Sequence, residues 1–297
     1  MTGTLFLRDL RVCWRNPAAV LLVVASPIVL TIVFMAFFRQ RLPGRMDQIM
    51  ILTAGGNAAG LYDGWIFASV AVLAGFTSSA GVFLGFLDDC GARRFELYLA
   101  SPVRRGAIIW GYLLAAGLVS FIVSLVVVAF GQVWALAAGQ PVMSAALWLQ
   151  ALLGLLLTSL FFATLTGLAV GFVSSQGGFA GYCLIGGSLA GFLTASYALP
   201  QGAWISQVAG LLPFAQAAAL IRAPLVAPVI GQLPLGSGPN VSGFAGPYTL
   251  NYLVGAKIQI LGGTPWPALT VVIVLVVWSA ILLGLGLWRL YRVLRTR

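Results

Sequence analysis

The sequence predicts an all-α polytopic membrane protein with six transmembrane helices. Two observations carry that prediction. Charged residues make up 7% of the 297 residues and hydrophobic ones 61%, where a soluble domain carries about 25% charged residues. So few charges cannot cover a water-facing surface, and lipid becomes the solvent for most of the exterior. The second observation is spacing. Apolar runs of at least about 20 residues, the length that crosses a hydrocarbon core, recur at 18–38, 62–87, 106–137, 145–173, 179–199 and 267–287.

The first element, residues 1–17, reads as an amphipathic interfacial helix. At 100° per residue, Arg8, Arg11 and Arg15 gather on one side, with Phe6, Leu10, Cys13 and Trp14 opposite. A basic face opposite an apolar one suits a helix lying in the headgroup layer. Asn16-Pro17 breaks it. The run at 18–38 is too long for a signal-peptide core and no small-residue cleavage site follows it, so it is expected to stay as the first span. Residues 18–297 then form a single membrane domain.

Between the second and third spans lies a charged segment, 88–105. Of the chain's 16 basic and 6 acidic side chains, seven fall there, and the next charge after Arg105 is Arg222. Gly91 ends the second span, 93–100 can form a two-turn helix, and Ser101-Pro102 stops it. Phe95, Tyr98 and Leu99 can rest on the membrane body while Arg94, Glu96 and Leu97 project outward. A short helix held between two spans is a lever through which a soluble partner could push. Asp88-Asp89 is expected in a loop leaving the second span, since two adjacent acids are a poor metal set.

The third span is long enough to tilt. Small residues spaced by four, as at Gly167 and Gly171 or Gly187 and Gly191, let helices approach closely. Residues 200–265 form a long connection between spans five and six. Its first part, 203–225, is apolar but interrupted by Pro213 and Pro224, which predicts short re-entrant helices sheltered by protein. Its second part, 227–247, is rich in Gly and Pro and predicts a loop.

Basic residues set the orientation. Arg8, Arg11, Arg15, Arg93, Arg94, Arg104, Arg105, Arg289, Arg292, Arg295 and Arg297 fall on one side, and Arg39, Arg41, Arg45, Arg222 and Lys257 on the other. The richer side faces the cytoplasm, so both termini and the charged segment are expected there. The tryptophans at 65, 110, 134, 148, 204, 266, 278 and 288 are expected mostly as anchors at the membrane interfaces.

Several functions are disfavoured. Histidine is absent and the three cysteines stand apart, so there is no familiar zinc site and no ready general base. The single lysine, Lys257, follows Ala256, so no Gly-Lys-Ser/Thr phosphate loop exists. The net charge of +10 clusters beside the spans, as topology signals do, which argues against nucleic acid. The chain is therefore not read as an enzyme, and no cofactor of its own is expected. Asp63 is the acid nearest a span, and two readings stay open for it: a cap on the second helix, or a contact for substrate or ion.

The run Arg94-Phe95-Glu96-Leu97-Tyr98-Leu99-Ala100-Ser101-Pro102-Val103-Arg104 resembles the cytoplasmic segment of ABC-2-type transporter permeases, closest in type to daunorubicin-resistance exporter permeases. Those often have Gly-Thr before the Glu, where this chain has Arg94-Phe95. Leu212-Pro213-Phe214 followed by Arg222 is similar to the family's Pro-containing extracellular helices. The resemblance implies a half-transporter that pairs with a second permease, identical or sister, and seats two cytoplasmic P-loop ATPases carrying ATP and Mg. It implies that Arg93, Arg94, Glu96, Leu97, Ser101 and Pro102 form the coupling helix to the ATPase, braced by the interfacial helix with Arg8, Arg11, Trp14 and Arg15. The implied cargo is a drug, lipid or lipid-linked glycan, and the implied location the cytoplasmic (inner) membrane. The alternative is an ion-coupled transporter or channel built around Asp63.

Overall fold

The computed structural model describes residues 2–15, 17–38, 58–91, 105–173, 175–194, 212–232 and 267–296, and all regular structure among them is helical. Five of these helices are long and apolar enough to cross a membrane. The coupling segment, with Arg93, Arg94, Glu96, Leu97, Ser101 and Pro102, lies outside the described residues. So does most of the connection at 200–265.

Helix α1 (Thr2–Arg15) is followed by a helical run that changes pitch. It contains α2 (Pro17–Val20), a π-helical turn (Leu21–Ala25), α3 (Ser26–Val33) and a second π turn (Phe34–Phe38). The first π turn has a local cause. The Ser26 N–H reaches back to the Leu21 carbonyl, and Pro27, next in line, has no N–H to offer. The expected first span is thus helical but not one regular rod.

The expected second span, 62–87, is longer in the structure. Helix α4 (Ala58–Gly91) runs to Gly91, which places Asp88 and Asp89 on its last turn and not in a loop. Helix α5 (Arg105–Ala137) matches the third expected span. The turn after it depends on Gly139, whose φ of +67° favours glycine. Helix α6 (Ala145–Val170) starts at Ser144, whose side chain accepts the Leu147 N–H. Helix α7 (Gln176–Leu193) is capped likewise by Ser175, which accepts from Gly178. It replaces the span expected at 179–199, starts earlier, and is not one of the five long apolar helices.

Helix α8 (Pro213–Ile230) is one of the five, where the sequence pointed to shorter re-entrant pieces. Its Phe214 end packs on Phe161 and Phe162, well along α6, and its other end reaches Gly60 and Gln140. Pro224 lies inside the helix and has no N–H to bond the Leu220 carbonyl. That carbonyl instead lies against Gly154 of α6, where a Cβ would come within 3.0 Å of it. Helix α9 (Ala268–Thr296) extends past the expected end at 287, so Arg289 and Arg292 stand on the helix itself.

Helix α4 is the axis. It packs against α1, α5, α6, α7 and α8 and is buried through almost its whole length. Hydroxyls tie it to α5: Ser120 donates to the Gly75 carbonyl at 2.9 Å and Ser124 to the Ala71 carbonyl at 2.8 Å. Phe76 meets Phe162 edge-on and Tyr182 at a tilt, so α6 and α7 join the same core. The outside is apolar. On α5 Trp110, Leu114, Leu118, Ile122, Val126 and Phe130 form an exposed stripe at helical spacing, and α9 exposes Leu269, Ile273, Val277, Ile281 and Leu285. Such a surface belongs in lipid, and the protein is membrane-embedded.

Candidate functional site

Among the described residues three polar clusters interrupt the apolar body, and each joins side chains far apart in sequence.

The first fastens α1 to the bundle. Arg8 donates to the Asp89 carboxylate and to the Tyr112 hydroxyl, the latter at 2.6 Å. Tyr112 donates to the same Asp89 oxygen at 2.7 Å, and Asp9 lies 2.9 Å from Arg8. Asp89 and Asp9 are both buried. The cluster thus ties α1 to the last turn of α4 and the second turn of α5. Those two helix ends bracket the segment 92–104. Burial pushes the Asp9 carboxyl up to about 7, with Arg8 pulling the other way and Asp89 adding to the rise.

Two positions of α1, Arg8 and Trp14, depart from the faces expected of them. Arg8 leaves the basic face and turns inward, because the body offers it a carboxylate and a phenol. Arg11 and Arg15 are exposed. Phe6 and Leu10 pack on the core, while Trp14, expected on the same apolar face, is 60% exposed. Asp88 accepts from Gln176 at the start of α7. The two adjacent acids therefore face different partners and do not converge on a metal. Around the same end, Arg289 donates to the Gly171 carbonyl at 3.0 Å, and the Tyr291 hydroxyl packs directly on Gly106. The C-terminal part of α9 thus meets the end of α6 and the start of α5, at the end of the bundle that α1 covers.

The second cluster, at the opposite end, is built on Asp63. It is 2% exposed and lies in the second turn of α4, so it does not cap that helix, which begins at Ala58. One carboxylate oxygen accepts from the Gln140 amide at 2.9 Å and the Trp134 indole at 3.1 Å. These bonds tie α4 to the α5 end and the turn that follows. A small cavity beside Asp63, with Gly60, Phe67, Gln132, Gln140 and Val229 among its walls, has room for about one water molecule.

The third cluster was not foreseen. Arg222, counted among the basic residues of the extracytoplasmic side, is 1% exposed, the largest fully buried side chain described. It donates to Ser69 at 2.9 Å and lies 5.8 Å from the Trp65 ring. Trp65 is itself buried, not an interfacial anchor. The apolar spacing of α4 hides both contacts, and the only sequence signal was an arginine inside an apolar stretch.

No protein-family model matches this chain, and no curated protein matches it.

Proposed function

We propose that the chain is the membrane-spanning permease subunit of an ABC-2-type ATP-binding-cassette exporter. It would form the path for a hydrophobic or amphipathic substrate such as a drug, a lipid or a lipid-linked glycan. The supporting observation is the tie from Arg8 to Asp89 and Tyr112. A helix pinned to both ends that flank 92–104 holds that segment between two rigid rods, as a coupling device requires. In this reading Glu96 and its neighbours seat a cytoplasmic P-loop ATPase that supplies ATP, Mg and hydrolysis. Two permeases, identical or sister, and two ATPases make the working unit. Both termini face the cytoplasm of the inner membrane. Helix α8 is the rising limb of a re-entrant connection, since its Phe214 end starts deep in the bundle beside Phe161.

The test is a mild-detergent pull-down of the tagged chain from its native cell. A stoichiometric P-loop ATPase, lost in Glu96→Arg while the variant still inserts, is the expected result. A clean preparation in lipid nanodiscs with no ATPase sinks the reading.

A second reading rests on Asp63. A buried carboxylate beside a cavity is the arrangement an ion-coupled transporter or channel would use. It requires transport that continues without ATP and stops in Asp63→Asn.

A further inference from the structure

We propose that Arg222, Trp65 and Ser69 form a binding site for a singly charged anion between α4 and α8. The inference stands on the geometry of the two helices and does not depend on the exporter reading.

Arg222 carries its charge 1% exposed, and no acid among the described residues pairs with it. Among the described residues the ion pairs belong to Arg8. Its polar partner is a neutral hydroxyl. That hydroxyl is already committed, since Ser69 donates its own proton to the Trp65 carbonyl at 2.7 Å and gives its lone pair to Arg222. Ser69 therefore orients the guanidinium and neutralises nothing. The Trp65 ring, 5.8 Å away, offers a weak cation–π attraction.

Two further donors are orphaned: the Arg222 Nε–H and the Trp65 Nε1–H are both buried, and neither has a hydrogen-bond partner among the described residues. A buried donor left without a hydrogen bond is costly, and a buried unpaired charge more so. Excess positive charge and spare N–H groups, contributed by facing helices, are complementary to one kind of ligand, an anion that accepts from both. Guanidinium and indole N–H groups are donors only, so an anion, halide or oxyanion, satisfies both. A single negative charge balances the single positive one. Chloride or phosphate from water and the phosphodiester of an anionic lipid share that chemistry.

The experiment uses the full chain in phosphatidylcholine nanodiscs. Tm is followed as chloride or inorganic phosphate replaces gluconate at fixed ionic strength. A second series replaces phosphatidylcholine with phosphatidylglycerol in gluconate. A saturable rise in Tm is expected, in the first series for an aqueous anion and in the second for a lipid one. Trp65→Phe keeps the ring and deletes the N–H, and should weaken the midpoint about tenfold, the worth of one such hydrogen bond. Arg222→Gln should abolish the response. Absence of a saturable response in the wild type, which would leave buried water on the two donors, overturns the site. So does an unchanged midpoint in either variant. If Arg222→Gln fails to fold, Trp65→Phe decides alone.

Discussion

Arg8 and Arg222 are held in opposite ways. Arg8 sits at the end of the bundle, partly exposed, with two carboxylates and a phenol around it. Arg222 sits inside, with one hydroxyl and an aromatic ring. The contrast shows two uses of a guanidinium in a chain with few charges. One is a fastener, satisfied by acids that pin three helices together. The other is a charge held in reserve, oriented but not neutralised, at a cost that the surrounding packing offsets.

The sharpest way to break this comparison is to delete each charge while keeping a similar volume. Arg8→Met leaves Asp89 and Asp9 buried without their cation and should cost about 3 kcal/mol. Arg222→Met removes an uncompensated charge and, in anion-poor buffer, should lie within about 1 kcal/mol of the wild type or be more stable. Reversible unfolding in mixed micelles measures both, and equal losses would erase the distinction.

A smaller effect tests whether the fastener depends on the rigid α4–α5 pair. A Cβ at Gly131 would come within 2.6 Å of the Phe67 ring. Gly131→Ala should therefore cost about 1–3 kcal/mol by overpacking, read in the same unfolding assay.

The fastener should also respond to pH. The Asp9 carboxyl rises from 3.8 to about 7 because it is buried, so the folded chain holds that proton more tightly than the unfolded one. The stability contributed by this group is full below pH 3.8 and is lost as pH rises to about 7. Asp9→Asn removes this slope, and melts at pH 5 and pH 8 should then converge in the variant relative to the wild type. The smallest change is Gly139→Ala, which forces an alanine to a φ of +67° and should cost about 1 kcal/mol.

What was legible in the sequence follows from what each signal measures. Hydropathy reports lipid-length apolar runs, so α5 and the start of α6 lie where expected. It fails where Gly, Pro or polar residues dilute a buried helix. Helix α8 looked too interrupted because Pro224 reads as a breaker, yet Gly154 on α6 accommodates the carbonyl that Pro224 leaves free. The ends of α4 and α9 were drawn too short because charged residues look like loop, whereas Asp89 and Arg289 are paired on helices. Periodicity placed Arg8 with Arg11, since it knows only the helix and not its neighbour. The tie to Asp89 spans 81 positions and that to Tyr112 spans 104, and no local pattern encodes either. The coupling segment carried the strongest family resemblance and falls outside the described residues.

The serine bonds from α5 to α4 bear on biogenesis. Ser120 and Ser124 donate to main-chain carbonyls, so whichever side chains stand at 71 and 75, the acceptors remain. These two helices follow each other in the chain and carry each other's polar complement. A hairpin matched in this way can leave the insertion machinery as a preformed pair, with those hydroxyls already hidden from lipid. Later helices would then dock on a finished template.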